Sequence, residues 1–118
     1  MILEDVREIL EAEVIVGNDL MNKDVVMVCG SDLMSDVLAF VKHGALLLTG
    51  LTNPQVVRTA EMADLQAICF VRGKKPGRDT IEIAKAKDIP LLTTSLPMFE
   101  SCGRLYREGI PGCSEYVK

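Results

Sequence analysis

The stretch VRGKKPGRDTIEIAKAKDIPLLTT places Arg72, Lys74, Lys75 and Arg78 within one loop of a chain whose formal net charge is −4. Cations beside a helix start are the ingredients of an anion grip. The free backbone N–H groups of the first turn and the helix dipole both favour phosphate or carboxylate there. Gly73 lets the backbone reverse and Pro76–Gly77 turns it back into a helical pattern beginning near Asp79. Lys74 and Lys75 are compact, strongly hydrated charges, so Arg72 and Arg78, with planar forked donors, are the better candidates for orienting an anion. A plainer reading stays open for the same residues. Lys and Arg are common in exposed turns, and Asp79 offsets part of the charge.

Further polar residues follow the other apolar runs: Ser31 and Asp32 after VVMVCG, Thr49 and Asn53 around ALLLTG, and Thr94 at the end of IPLLTT. Together with Arg72, Gly73 and Arg78 they form the candidate ligand-binding set, and the expected ligand is a small anion or a nucleotide. Each also has a structural reading as a helix cap or tight-turn residue, which every α/β domain needs. No loop matches G-x-x-x-x-G-K-[ST] or a dinucleotide fingerprint, and there is no G-x-S-x-G elbow. His43 precedes Gly44 at a helix end and reads as a C-terminal cap. Asp32 and Asp36 read as a cap and a solvated face, and Cys102 as core. No catalytic residue, metal site or cofactor is therefore assigned.

The chain has 118 residues, the size of one domain. Hydrophobic residues make up 48%, aromatics only 4% and Trp none, so the core must be aliphatic. A pI near 5.0 argues against a general nucleic-acid surface. No apolar run reaches the ~20 residues of a membrane-spanning helix. The start MILEDVREIL carries Glu4, Asp5 and Glu8, unlike the basic start of an export signal. Cys29, Cys69, Cys102 and Cys113 have no close spacing and suit buried thiols in a reducing compartment, so the expected location is the cytoplasm.

The elements that would position the candidates are legible from periodicity. Leu3, Val6, Ile9 and Leu10 have helical spacing; EVIVG reads as a short strand. VVMVCG, ALLLTG, AICFVRG and IPLLTT are apolar runs of the kind buried on both faces of a parallel sheet. Between them lie helical patterns: Met34, Val37, Leu38 and Val41; then Val56, Val57, Ala60 and Ala63 behind Asn53–Pro54; then Thr80–Lys87. A last helix after Ser95 and Pro97 carries Met98, Phe99, Cys102, Leu105 and Tyr106 on one side. Residues 109–118 have no periodicity. Alternation at a near-constant interval implies successive right-handed βαβ units. The expected fold is α/β: a single three-layer α/β/α domain over residues 1–118, with a mostly parallel sheet of four or five strands and Glu13–Val16 as a possible antiparallel edge. The candidate residues would then share the carboxyl edge of the sheet.

The pieces GSDLMSDVLAFV, GLTNPQVVRTAEMADLQAICFVRGKKP and AKAKDIPLLTTSLPMFESCGRL resemble the DRTGG domain family, over about Val14 to Tyr106. Leu33 stands where that family has Arg, and VRGKKP where many members have T-G-G. The family is similar to the N-terminal domain of HPr kinase/phosphorylase. The resemblance implies a stand-alone regulatory or assembly module with no established catalysis. A homodimer is expected from it and from the apolar residues Ile110, Tyr116 and Val117. A small enzyme or phosphate-transfer protein is the alternative.

Overall fold

The computed structural model describes residues 1–41 and 43–112. Cys113, Tyr116 and Val117, which entered the expectations above, lie outside them. The elements run α1 (Leu3–Ile9), β1 (Glu13–Val16), a 3-10 turn (Asn18–Leu20), β2 (Met27–Gly30), α2 (Met34–Phe40), β3 (Ala45–Thr49), α3 (Pro54–Met62), β4 (Ala67–Phe70), α4 (Arg78–Ala86), β5 (Leu91–Thr93) and α5 (Met98–Arg107). The sheet has five strands in the order β1-β5-β4-β3-β2. β2, β3, β4 and β5 are parallel neighbours, and β1 pairs antiparallel with β5.

Strand alternation divides the core in two. Leu47 of β3, Ile68 and Phe70 of β4, and Leu91 of β5 pack with Val37 of α2, Val56, Val57 and Ala60 of α3, and Ala84 of α4. Leu46 and Leu48 of β3, Ala67 and Cys69 of β4, and Leu92 of β5 turn to the other side, against Leu3, Val6 and Leu10 of α1 and Leu105 of α5. The strand order explains the split. Each parallel strand is added on the same side of the one before, so right-handed crossovers carry α2, α3 and α4 onto one face. The opposite face would expose Leu46, Leu48 and Leu92 unless covered, and α1 and α5 cover it. The expected three-layer arrangement and the antiparallel edge strand are both present.

Several local expectations are corrected. VVMVCG pairs only over Met27–Gly30 and is half-buried, because β2 is an edge strand. Asn53 stands at the N-cap position of α3, with Pro54 in the first turn, but its side chain makes no cap hydrogen bond. The N-cap of α4 is Gly77, two residues before Asp79, where the sequence pattern places the helix start. α2 ends at Phe40, and His43 does not cap it. Its Nδ1 pairs with the Asp64 carboxylate at the end of α3, at the amino end of the strands. On α5, Leu105 is buried and Met98 and Cys102 are half-buried, but Phe99 and Tyr106 point to solvent. The segment after α5 is not wholly irregular. Ile110 is buried in the α1/α5 core, Val28 N–H donates to the Pro111 carbonyl at 3.0 Å, and Gly112 forms a parallel bridge with Val28.

Candidate functional site

The loops after β2, β3, β4 and β5 gather at the carboxyl edge of the parallel strands, as the topology requires. The first two are joined by Asp32. Its Oδ1 accepts from the Thr49 hydroxyl at 2.8 Å and from the Gly50 N–H at 2.7 Å. Thr49 is fully buried, and its Oγ1 in turn accepts from Leu51 N–H at 3.2 Å. Ser31 makes a local turn, its Oγ accepting from Leu33 N–H at 3.0 Å. The Thr-Gly pair that meets the aspartate therefore lies at the end of β3, not in the basic loop. Asp32 is spent on a loop clamp instead of capping α2, whose N-cap is Leu33.

The basic loop is shaped by two consecutive left-handed residues, Arg72 (φ 58°) and Gly73 (φ 69°). Glu11, Asp64 and Asp88 also have positive φ, but each follows a helix end, where that conformation closes the last turn. Arg72 alone among the described non-glycine residues adopts it elsewhere. Such a turn could form a nest of N–H groups for an anion. Here the donors are already used: Arg72 N–H to Leu96 O at 2.8 Å, Gly73 N–H to Thr94 O at 2.8 Å and Lys74 N–H to Val71 O at 3.2 Å. The Thr93 hydroxyl donates to Lys74 O at 2.7 Å. The first half of the loop is thus a hook that ties β4 to the link between β5 and α5. Thr94 is structural as well. Its buried hydroxyl donates to Leu10 O at 2.6 Å and accepts from Leu96 N–H at 3.2 Å.

The second half of the loop behaves differently. Gly77 opens α4 beside Asn53 at the start of α3, and neither helix has a side-chain cap. Thr80 fastens the two starts together, its hydroxyl donating to Thr52 O at 2.8 Å. Between them lies an open cleft of about 440 Å³ lined by Thr52, Asn53, Pro54, Gly77, Arg78, Asp79 and Thr80. Arg78 is exposed and has no ion pair or side-chain hydrogen bond among the described residues. Of the expected set, this cleft unites Asn53 and Arg78. Gly73 and Thr94 border a separate depression of about 250 Å³, beside Glu11, Glu13 and Lys75. Arg72 lines neither, and Ser31, Asp32 and Thr49 form the clamp. The sequence reading missed Thr52 and Thr80. Thr80 in the first turn of a helix is the one signal available, and its partner, a carbonyl on another loop, has none.

The groups at this edge are of the kind that recognise anions. Uncapped helix N-termini offer N–H donors and a positive dipole, and Arg78 adds a fork for a phosphate or carboxylate. Cys69 and Cys102 are not poised as nucleophiles. Burial pushes the Cys69 thiol up to about 12 and raises that of Cys102. No group of acidic, histidine or cysteine residues able to hold a metal occurs among the described residues.

No curated protein matches the chain in sequence. Among solved structures, it is similar to the CBS and DRTGG domains of the regulatory region of a Clostridium perfringens pyrophosphatase, solved with its activator diadenosine tetraphosphate. The TM-score is 0.67 at 16% identity, with 87% of this chain and 45% of that chain covered. The chain thus spans less than half the length of that structure, and the likeness is one of fold. The family model of the DRTGG domain matches residues 5–107, nearly the whole of the sheet and its helices. The chain belongs to the DRTGG domain family.

Proposed function

We propose that residues 1–118 form one non-catalytic regulatory domain that senses a small anionic ligand of the nucleotide class and works as a cytoplasmic homodimer. The observation that carries the ligand reading is the cleft between α3 and α4. Two helix starts without side-chain caps open onto it beside Arg78, whose side chain has no ion pair or hydrogen bond among the described residues. The pyrophosphatase regulatory region gives support from outside, since a domain of this family accompanies regulation by a nucleotide there. Asn53 and Arg78 would contact the anion, and Thr80 would position the two helix starts. Arg72, Gly73, Ser31, Asp32, Thr49 and Thr94 would hold the loops in place. Affinity is expected to be weak, because the cleft is open and water competes for the exposed guanidinium.

Titration of the labelled protein with phosphate, ADP and ATP at low salt tests this, followed by backbone amide shifts. Shifts confined to residues 52–55 and 77–80, lost in Arg78→Ala but kept in Arg72→Ala, are the expected result. Shifts centred on residues 72–75 or 93–95, or none with any of the three, would overturn it.

A further inference from the structure

A second groove stands apart from the cleft between α3 and α4. It lies beside α5, has a volume of about 450 Å³, and is lined by Val28, Cys102, Leu105, Ile110, Pro111 and the rings of Phe99 and Tyr106. Phe99 and Tyr106 are 83% and 76% exposed, the highest values among the large apolar side chains described. Between them on the same helical face stands Gly103. Glycine in mid-helix is destabilising, and a tight neighbour within the fold is the usual reason to keep one. Gly103 has none among the described residues: none of their atoms lies within 4 Å of where its Cβ would be. The described part of the fold therefore gives no reason for glycine here, whereas a close approach from a second copy does.

We infer that α5 of a second copy of this chain crosses α5 antiparallel at Gly103. The proposal rests on the homodimer reading above and names its surface. In a two-fold pair centred on Gly103, each residue before the glycine faces one the same distance after it in the partner. Phe99 and Tyr106 lie on one flank, at nearly equal distances from the centre, so each Phe99 reaches the partner's aromatic end and its groove. Glu100 and Arg107 lie on the other flank, again nearly equidistant, so each carboxylate meets a guanidinium of the other copy. Both are exposed, and neither has an ion pair among the described residues. One operation thus covers the exposed aromatics, pairs the opposite charges and uses the bare backbone at Gly103. It favours a second copy over an unrelated partner, which would have no reason to match this symmetry.

Sedimentation equilibrium on the full chain tests it, with Gly103→Leu, Phe99→Glu, Glu100→Arg, Arg107→Glu and the Glu100→Arg/Arg107→Glu pair. Circular dichroism checks that each variant, altered on an exposed face, stays folded. The expected result is a wild-type dimer. Gly103→Leu, Phe99→Glu and each single charge reversal should raise the dimer Kd at least tenfold, and the double reversal should return it to within about threefold of wild type. A wild-type dimer indifferent to all five variants would overturn the α5 crossing and leave the homodimer reading standing. A wild type that is monomeric up to 100 µM would sink both.

Discussion

Asp32→Ala is the sharpest test of how the carboxyl edge is held. Two hydrogen bonds to an ionised carboxylate are lost, from the Thr49 hydroxyl at 2.8 Å and the Gly50 N–H at 2.7 Å. Bonds of this kind contribute about 1.5–3 kcal/mol each when buried. Asp32 is exposed and Gly50 half-buried, so water replaces part of the second. Thr49 is fully buried, and its hydroxyl loses its acceptor outright. A loss of about 2–3 kcal/mol follows, with the lower end for each bond. With an unfolding entropy of about 2.1 cal/mol/K per residue, a loss of ~2.5 kcal/mol lowers Tm by roughly 10 °C. Asp32→Asn keeps an acceptor oxygen and should cost about 1 kcal/mol. Urea unfolding at fixed protein concentration measures both, and amide exchange at Gly50 should accelerate in the alanine variant. An Asp32→Ala protein within ~0.5 kcal/mol of wild type, with Gly50 still protected, would refute the clamp.

Glycines at the same edge should separate cleanly. A Cβ at Gly30 would stand 2.6 Å from the Cys102 sulfur and 3.1 Å from that of Met98, so Gly30→Ala should cost about 1–3 kcal/mol by denaturation. Adding Cys102→Ala should recover part of that loss, and its failure to do so would rule out the steric cause. Gly50 has no left-handed φ, and a Cβ there would meet only the Asp32 carboxylate at 3.6 Å among the described residues. Gly50→Ala should therefore change stability by less than ~0.5 kcal/mol. Thr94→Val strands the Leu10 carbonyl and the Leu96 N–H and should cost about 1–3 kcal/mol while leaving nucleotide-induced shifts at residues 77–80 unchanged. Cys69 links stability to alkaline pH. Its thiol is held up to about 12 in the fold, against an ordinary value of about 8.5 in the open chain. The neutral thiol's contribution is thus full below about 8.5 and is lost as pH rises toward 12, so Cys69→Ala should flatten the alkaline fall in stability seen for wild type.

Periodicity located every strand and helix because burial has a different period in each. Residues 45–48 and 67–70 are apolar at every position and buried throughout, which only a strand covered on both faces can sustain. The same logic misjudged Val25–Gly30. Its residues are as apolar as those of β3, but whether a strand is central or at the edge is a property of the sheet order, and nothing in six residues records it. Phe99 and Tyr106 misled in the same way, since helical spacing gives a shared face without saying what lies opposite it.

The site was legible only as a set of loops. Alternation of strand and helix brings residues 30–33, 49–53, 72–79 and 93–97 to one edge, and the chain itself determines that much. Which polar groups remain available there was decided by tertiary contacts. Arg72 and Gly73 surrender their N–H groups to carbonyls of the β5–α5 link, Thr94 gives its hydroxyl to Leu10 across the fold, and Asp32 is taken by Thr49 and Gly50. A hydrogen bond to a residue distant in sequence leaves no local pattern, because its partner is chosen by how the layers pack. Asn53 and Arg78 stay uncommitted for the same reason: α3 and α4 lie side by side, and their starts are joined through Thr80 and not through either of those side chains.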